Sequence, residues 1–267
     1  MKFFFDFFNN SDIILEMDKN KNIHVHPLTR VVDDINRIFF KMGFTLVDGP
    51  ELETEYYNFD ALNVPKDHPA RDMQDTFWVK PTKDLPGVER RLMRTQTSAM
   101  QIHHMEGNKN PPIKILCPGK TYRKEATDAT HEAQFQQLEG LYVDKEVSLA
   151  TLKTVLNKFF DEFFEKDIDV RFRPSYFPFV EPGAEIDISC FKCKGEVGCP
   201  VCKGTGWVEV MGAGVVHPKV LSRVGINPNE WKGFAFGVGV DRLAMLKYSI
   251  DDIRLFYSGD LRLVNQF

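Results

Sequence analysis

Residues Gly119–Gly140, GKTYRKEATDATHEAQFQQLEG, carry the pattern on which the reading of the fold turns. The segment reads as two strands joined by a long polar loop. Arg123 and Glu125 close the first strand, and Phe135, Gln137 and Glu139 alternate along the second. A period of two places those three side chains on one face. A strand face that carries a carboxylate, an amide and an aromatic ring is ill suited to a hydrophobic core. It fits a surface that receives something polar and planar. The competing reading is an exposed hairpin with scattered charges.

Upstream, His26-Pro27 opens a helix. Leu28, Val31, Val32, Ile35, Ile38, Phe39 and Met42 fall at three- and four-residue steps, and Gly43 supplies the stop. A strand at Phe44–Val47 ends at Gly49-Pro50, and Leu52–Leu62 fits a helix. Residues 63–75, rich in Pro and Asp, read as a surface loop, and Phe77–Val79 as a strand. Thr95–Gly107 reads as a helix capped by Thr97 or Ser98, and Ile113–Leu116 as a strand. Downstream, Ser148–Phe164 is a second amphipathic helix. Val170–Val180, Glu185–Ser189 and Trp207–Met211 look extended, and a glycine-rich strand, Gly233–Gly239, runs into a helix over Val240–Tyr248. Strands come in hairpin-like runs, without regular strand–helix alternation. The expected class is therefore α+β, an antiparallel sheet flanked by helices.

The 267 residues, 43% of them hydrophobic, suffice for one sizeable core, and the formal net charge is −4. A domain gripping nucleic acid unaided would carry a basic excess, so a nucleic-acid partner must be shared with another surface. No apolar run approaches the ~18–20 residues of a membrane span. The Phe-rich start, MKFFFDFFNN, is no signal peptide and reads as an edge strand or docking segment. Residues 9–24 read as a turn-bearing entry segment.

Four of the five cysteines cluster as Cys190-x2-Cys193-x5-Cys199-x2-Cys202. Two CxxC knuckles can present four thiolates to one tetrahedral zinc, with no position left open for catalysis. Reduced free thiols and a redox pair are the alternatives. Clustered cysteines fit a reducing cytoplasm better than a disulfide framework. Cys117 stands apart, after an apolar run, and reads as core.

The order of pieces then becomes informative: a long helix with a strand ending in Pro50, the Arg-x-Glu hairpin, and Gly237-Val-Gly-Val-Asp-Arg242 opening a helix. These resemble the three signature motifs of class II aminoacyl-tRNA synthetases. The strings MRTQTSAMQ, GKTYRKE, HEAQFQQLEG, RPSYFPFVEPGAEID, GAGVVHP, GFAFGVGVDRL and SGDLRLVNQF resemble the catalytic domain of bacterial-type phenylalanyl-tRNA synthetase alpha subunits. The resemblance runs from about residue 26 to the end, which implies an N-terminal segment over 1–25, a catalytic domain over 26–267 and a Cys-rich insertion over 190–206.

It further implies ATP-dependent activation of phenylalanine and transfer to the terminal ribose of tRNA(Phe), with Mg²⁺ and a structural Zn²⁺, in the cytoplasm and as part of an α2β2 assembly with a beta subunit. Arg123 would hold the α-phosphate and the attacking carboxylate, and Glu125 the adenine amino group or a Mg²⁺. Arg242, near Gly239, would stack on the adenine opposite Phe135 or reach the outer phosphates, and His131 would meet the leaving pyrophosphate. Ser98, Gln101, Gln137, Glu139 and Gly237 would surround the amino acid's charged groups, with Glu139 partnering the ammonium. Phe177 and Phe179, two apart in SYFPF, would meet the phenyl ring, and Val180, Ala213 and Ala235 would complete the wall. An apolar pocket rejects an added hydroxyl by only about 10²-fold, so tyrosine is expected as an error substrate corrected elsewhere. The family's alpha subunits carry an N-terminal coiled-coil arm that contacts tRNA. About 25 residues precede the first motif helix here, so either the arm is left out of this stretch of sequence or tRNA contact rests wholly on the partner. The rival function is a synthetase-like paralog that senses phenylalanine and charges no tRNA. A ligase for another amino acid is disfavoured by the FPF pair and Ala235.

Overall fold

The computed structural model describes residues 24–66, 76–79, 90–193, 197–199 and 201–267. The Phe-rich start and nearly all of the 9–24 segment lie outside these, as does most of the 63–75 loop.

The first helix, α1 (Pro27–Lys41), forms where the sequence pattern places it. The His26 ring accepts the Leu28 amide at 3.2 Å, and Leu28, Val31, Ile35, Ile38 and Phe39 are buried along one stripe. Gly43, at φ +83°, turns the chain into β1 (Thr45–Leu46). The expected helix over Leu52–Leu62 is instead a strand, β2 (Leu52–Thr54), followed by one π-helical turn, Tyr56–Asp60. Leu52, Glu53 and Thr54 pair with Met93, Leu92 and Arg91 of β3 (Arg91–Met93), a partner that local periodicity cannot reveal. Of the strand expected at Phe77–Val79, Trp78 makes an isolated bridge to Leu92.

Helix α2 (Ala99–Gly107) is followed by the hairpin β4 (Ile113–Tyr122) and β5 (Gln134–Asp144). Helix α3 (Leu149–Phe164) is N-capped by Ser148, whose hydroxyl accepts the Thr151 amide. It buries Leu152, Leu156, Phe159, Phe160, Phe163 and Phe164, each contributing about 1.5–3 kcal/mol on burial. Then come β6 (Val170–Phe177), β7 (Val180–Ser189), β8 (Trp207–Val216), a short α4 (Pro218–Arg223), β9 (Lys232–Gly239), α5 (Val240–Tyr248) and α6 (Leu261–Val264).

Seven strands form one sheet in the order β1-β4-β5-β9-β8-β7-β6; every neighbouring pair is antiparallel except β1 with β4. Side chains from α1, α3 and α5 build a large core on one face. On the other face, residues of the π-helical turn, α2 and α4 build a smaller core that includes Leu141, Val180 and Ala235, with Phe177 and Phe179 packed against it. The chain leaves a cavity on this second face.

Candidate active site

The cavity measures about 290 Å³. All ten residues expected around the amino acid line it: Ser98, Gln101, Gln137, Glu139, Phe177, Phe179, Val180, Ala213, Ala235 and Gly237. Arg123 lines it as well. They come from β5, the end of β6, β7, β8, β9, the β6–β7 turn, the segment just after β4 and the start of α2, so only the tertiary fold assembles them.

Glu139 sits at the polar end, 5% exposed. Its carboxylate accepts hydrogen bonds from the Ser98 hydroxyl and from Gln101 Nε2 at 3.0 Å. Burial lifts its pKa to about 7, against the pull of the Ser98 hydroxyl, the Thr97 and Ser98 amides and the Arg123 charge. Ser98 does occupy the N-cap position of α2, yet no side-chain cap bond forms there, because the hydroxyl is spent on Glu139. Gly237 makes the close approach possible: a Cβ there would stand 3.0 Å from the Glu139 Cγ. The Gln137 Oε1 beside it is buried and has no hydrogen-bond partner among the described residues. A buried, unsatisfied acceptor on a cavity wall is costly unless a ligand donates to it.

The apolar end is built from two stacked rings. Phe177 and Phe179 lie 5.9 Å apart, centroid to centroid, at 24°. Their shared face was expected from strand alternation, but the strand stops at Phe177, and Pro178-Phe179 is the turn that closes Phe177 onto Val180. The floor is Gly212, where a Cβ would come 3.0 Å from the Phe177 ring.

The nucleotide-facing candidates are more open. Strand β4 ends at Tyr122, so Arg123 and Glu125 lie just beyond it and do not close it. The Arg123 amide nevertheless donates to Ala133 O (3.0 Å), and the guanidinium Nε donates to Thr95 O (3.3 Å). The guanidinium also stands 5.0 Å over the Phe135 ring. Burial lowers its pKa, and Glu125 and Glu139 push it back up. The Glu125 amide donates to Arg123 O at 2.8 Å, and its carboxylate makes no hydrogen bond among the described residues. His131 is exposed and pairs with Asp128 at 3.0 Å. Gly239 is the N-cap of α5 and Arg242 lies in its first turn, exposed, its side chain without a hydrogen bond or ion pair among the described residues; neither is among the residues lining the cavity. The carboxylate whose charge acts on Arg242 is Glu209 of β8.

Four sulfurs, of Cys190, Cys193, Cys199 and Cys202, lie within 4.8 Å of one another. The separations Cys190–Cys199, Cys190–Cys193 and Cys193–Cys202 are 3.9, 3.8 and 3.3 Å. A tetrahedron with ~2.3 Å metal–sulfur bonds has edges of about 3.8 Å, so the donor set fits one zinc. The Cys202 amide, with help from the Cys193 thiol, holds Cys199 down at about 6, the direction that favours a metal-binding thiolate. The cluster is less self-contained than its spacing suggests. It joins β7 to β8, and Cys190, Cys199 and Cys202 belong to the main core. Cys117 is fully buried, opposite Glu139 in the β4–β5 register.

Several lining residues escaped the sequence reading: Phe59, Gln96, Tyr176 and Gly212. The glycine spacing in Met211–Gly214 was the available signal, since glycine inside a strand marks close approach. A polar lock was also missed. Asp241, 2% exposed, accepts from the Gln136 amide at 2.7 Å and the Tyr257 hydroxyl at 2.5 Å. It fastens α5 to β5 and to the C-terminal segment.

An antiparallel sheet of this order, with an arginine leaving one central hairpin and another opening the helix after β9, defines the core of a class II aminoacyl-tRNA synthetase. The family model "tRNA synthetases class II core domain (F)" matches residues 10–267, extending N-terminal to α1. Over 243 residues the chain is 54% identical to the phenylalanine–tRNA ligase alpha subunit of Bacillus subtilis, covering 91% of this chain and 68% of that one. The same subunit of Shouchella clausii is 56% identical over 244 residues, covering 91% and 68%. That of Macrococcus caseolyticus is 52% identical over 257, covering 96% and 70%. The chain belongs to the class II tRNA synthetase core family and, within it, to the phenylalanine–tRNA ligase alpha subunits.

Proposed function

We propose that this chain activates phenylalanine with ATP and passes it to the terminal adenosine ribose of tRNA(Phe), as the alpha subunit of a phenylalanine–tRNA ligase. The observation that carries the reading is a buried carboxylate, Glu139, at one end of a cavity whose other end is two phenylalanine rings. That geometry suits a zwitterion with an apolar, planar side chain.

In the reaction, a carboxylate oxygen of phenylalanine attacks the α-phosphorus of ATP, and pyrophosphate leaves with the bonding pair. A ribose hydroxyl then attacks the adenylate's carbonyl carbon, loses its proton and expels AMP. Neither step needs a covalent enzyme intermediate, so the protein contributes positioning and charge. Glu139 would receive the ammonium, with Ser98 and Gln101 fixing its carboxylate and Gln137 accepting a further N–H. Arg123, at the cavity wall, would hold the α-phosphate beside the attacking carboxylate. Phe135 and Arg242 would bracket the adenine, Gly239 would let the nucleotide approach, and His131 would meet the pyrophosphate. Glu125 would help hold Mg²⁺, which offsets triphosphate charge when bound, or accept from the adenine amino group.

The four thiolates would hold a structural Zn²⁺ tying β7 to β8. Apolar surface on α1 and β1, with Phe40 71% and Leu46 49% exposed, supports assembly with a beta subunit there, as α2β2 in the cytoplasm. No helix among the described residues is long and apolar enough to cross a membrane. A phenylalanine sensor would have no use for two arginines kept for a triphosphate.

Phenylalanine-dependent ATP–pyrophosphate exchange, with and without the beta subunit, tests the reading. Exchange with phenylalanine well above every other amino acid is expected. No exchange in the assembled enzyme, or a preference for another amino acid, would overturn it.

A further inference from the structure

Arg94 is among the largest fully buried side chains and forms no ion pair among the described residues. Its donors serve backbone carbonyls. Nε donates to Lys120 O at 2.7 Å, and Nη1 donates to Gly49 O at 3.0 Å and Pro50 O at 3.3 Å, with Met100 Sδ also 3.3 Å away. Nη2 fills the space that Gly119 leaves empty, since a Cβ on Gly119 would lie 2.1 Å from it. Backbone bonds add to this knot: Arg94 N donates to Glu51 O and Tyr122 N donates to Arg94 O, each at 2.9 Å. A guanidinium taken out of water without a carboxylate is expensive, and methionine would fill similar volume at far less cost. The site therefore uses the rigid fork of donors.

The residues just after Arg94 hold the reacting groups. Thr95 O accepts from Arg123 Nε, and the Thr97 and Ser98 amides and the Ser98 hydroxyl all donate to Glu139. We propose that Arg94 is a positioning residue: it hangs the 95–98 strap from the Gly49-Pro50 turn and from β4, and so sets Arg123 and the donors around Glu139 in register for the reaction. This rests on the function proposed above.

The test uses the assembled alpha–beta enzyme with Arg94→Lys and, independently, Gly119→Ala, which disturbs the fork without altering Arg94. An ammonium reaches carbonyls on one side only, so the charge is kept and the span is lost. At saturating phenylalanine and ATP, kcat for pyrophosphate exchange is expected to fall on the order of 10²-fold in both variants. A second readout is independent of activity. The infrared carboxyl band of Glu139, assigned by its loss in Glu139→Gln, titrates in a surround of Arg123, Cys117, Ser98 and Gln101. Its midpoint is expected to rise by about one unit as the strap amides withdraw. An unchanged kcat together with an unchanged midpoint, whatever happens to the melting temperature, reduces Arg94 to a structural role and overturns the proposal. Absence of exchange in the wild-type enzyme sinks the functional reading instead, and the infrared midpoint still judges Arg94.

Discussion

The residues proposed to hold the amino acid and those proposed to hold the nucleotide are finished to different degrees. In the cavity, Glu139 already accepts from Ser98 and Gln101, and Phe177 and Phe179 already stack beside Gly212. Arg242, Glu125 and His131 are not among the residues that line it; the side chains of Arg242 and Glu125 have no hydrogen bond or ion pair among the described residues, and His131 is exposed. The difference follows from what each ligand brings. A benzyl group is recognised by shape, so its walls must stand in place beforehand, or ordering them would consume affinity. A triphosphate brings several charges and its own metal. An arginine paired tightly to a protein carboxylate beforehand would have to break that pair on binding, so leaving Arg242 exposed and unpaired is the cheaper arrangement.

The contrast breaks most readily at Arg123, which lines the cavity and also stands over the Phe135 ring. Arg123→Ala should lower kcat/KM for pyrophosphate exchange by about 10²–10³-fold, the cost of removing a donor aimed at developing charge. Arg242→Ala should raise the ATP KM and leave the phenylalanine KM unchanged in steady-state assays. Equal effects of Arg242→Ala on both substrates would erase the distinction between the two groups of residues. Glu139→Gln is the converse probe, with a phenylalanine KM raised roughly 10–100-fold and an unaltered ATP KM.

Titration sharpens the same point. Glu139 must be ionised to meet the ammonium, so the phenylalanine KM should fall about tenfold per pH unit up to about 7 and level off above it. Folding stability runs the other way. The carboxyl titrates near 4.5 ordinarily and about 7 in this fold. Across that window the native state keeps a proton the unfolded chain has lost, so its contribution is full below 4.5 and declines as pH rises to about 7. Chemical denaturation of the ligand-free protein at pH 5 and pH 7.5 measures this.

Smaller effects belong to the walls. Ala235→Gly should enlarge the slot and admit para-substituted phenylalanines, with a loss of discrimination of roughly tenfold in competitive exchange assays; an unchanged substrate range would remove Ala235 from the ring's surroundings. The smallest kinetic effect is expected from Cys193→Ser, or from chelation. Either should lower Tm on the order of 5–10 °C and leave both KM values in place, because the knuckle joins β7 to β8 away from the cavity.

Helices α1, α3 and α5 were legible because each shows an apolar stripe at helical spacing bounded by local stop and start signals. Less legible was the segment from Leu52 to Asp60, where three residues of strand pair with β3 some forty positions away. Phe177 and Phe179 do stack and both line the cavity, but through a turn where strand alternation was expected. Arg94 gave no sign of itself, since one arginine in MRTQTS looks like any other until three carbonyls converge on it.

The resemblance of the chain's motifs to the synthetase family supplied the candidate ligands of phenylalanine; residue chemistry and spacing, read along the chain, determined the class of sheet and the four zinc-competent thiols. These are matters of period and side-chain type, which are local. Only the tertiary structure decided that Glu139 is buried with its pKa raised to about 7, that Gln137 Oε1 is an acceptor without a partner among the described residues, and that ten dispersed residues line one cavity while Arg242 and His131 lie exposed outside its lining. Burial, desolvation and hydrogen-bond satisfaction depend on which distant segments arrive at the same place, and no stretch of sequence carries that information alone.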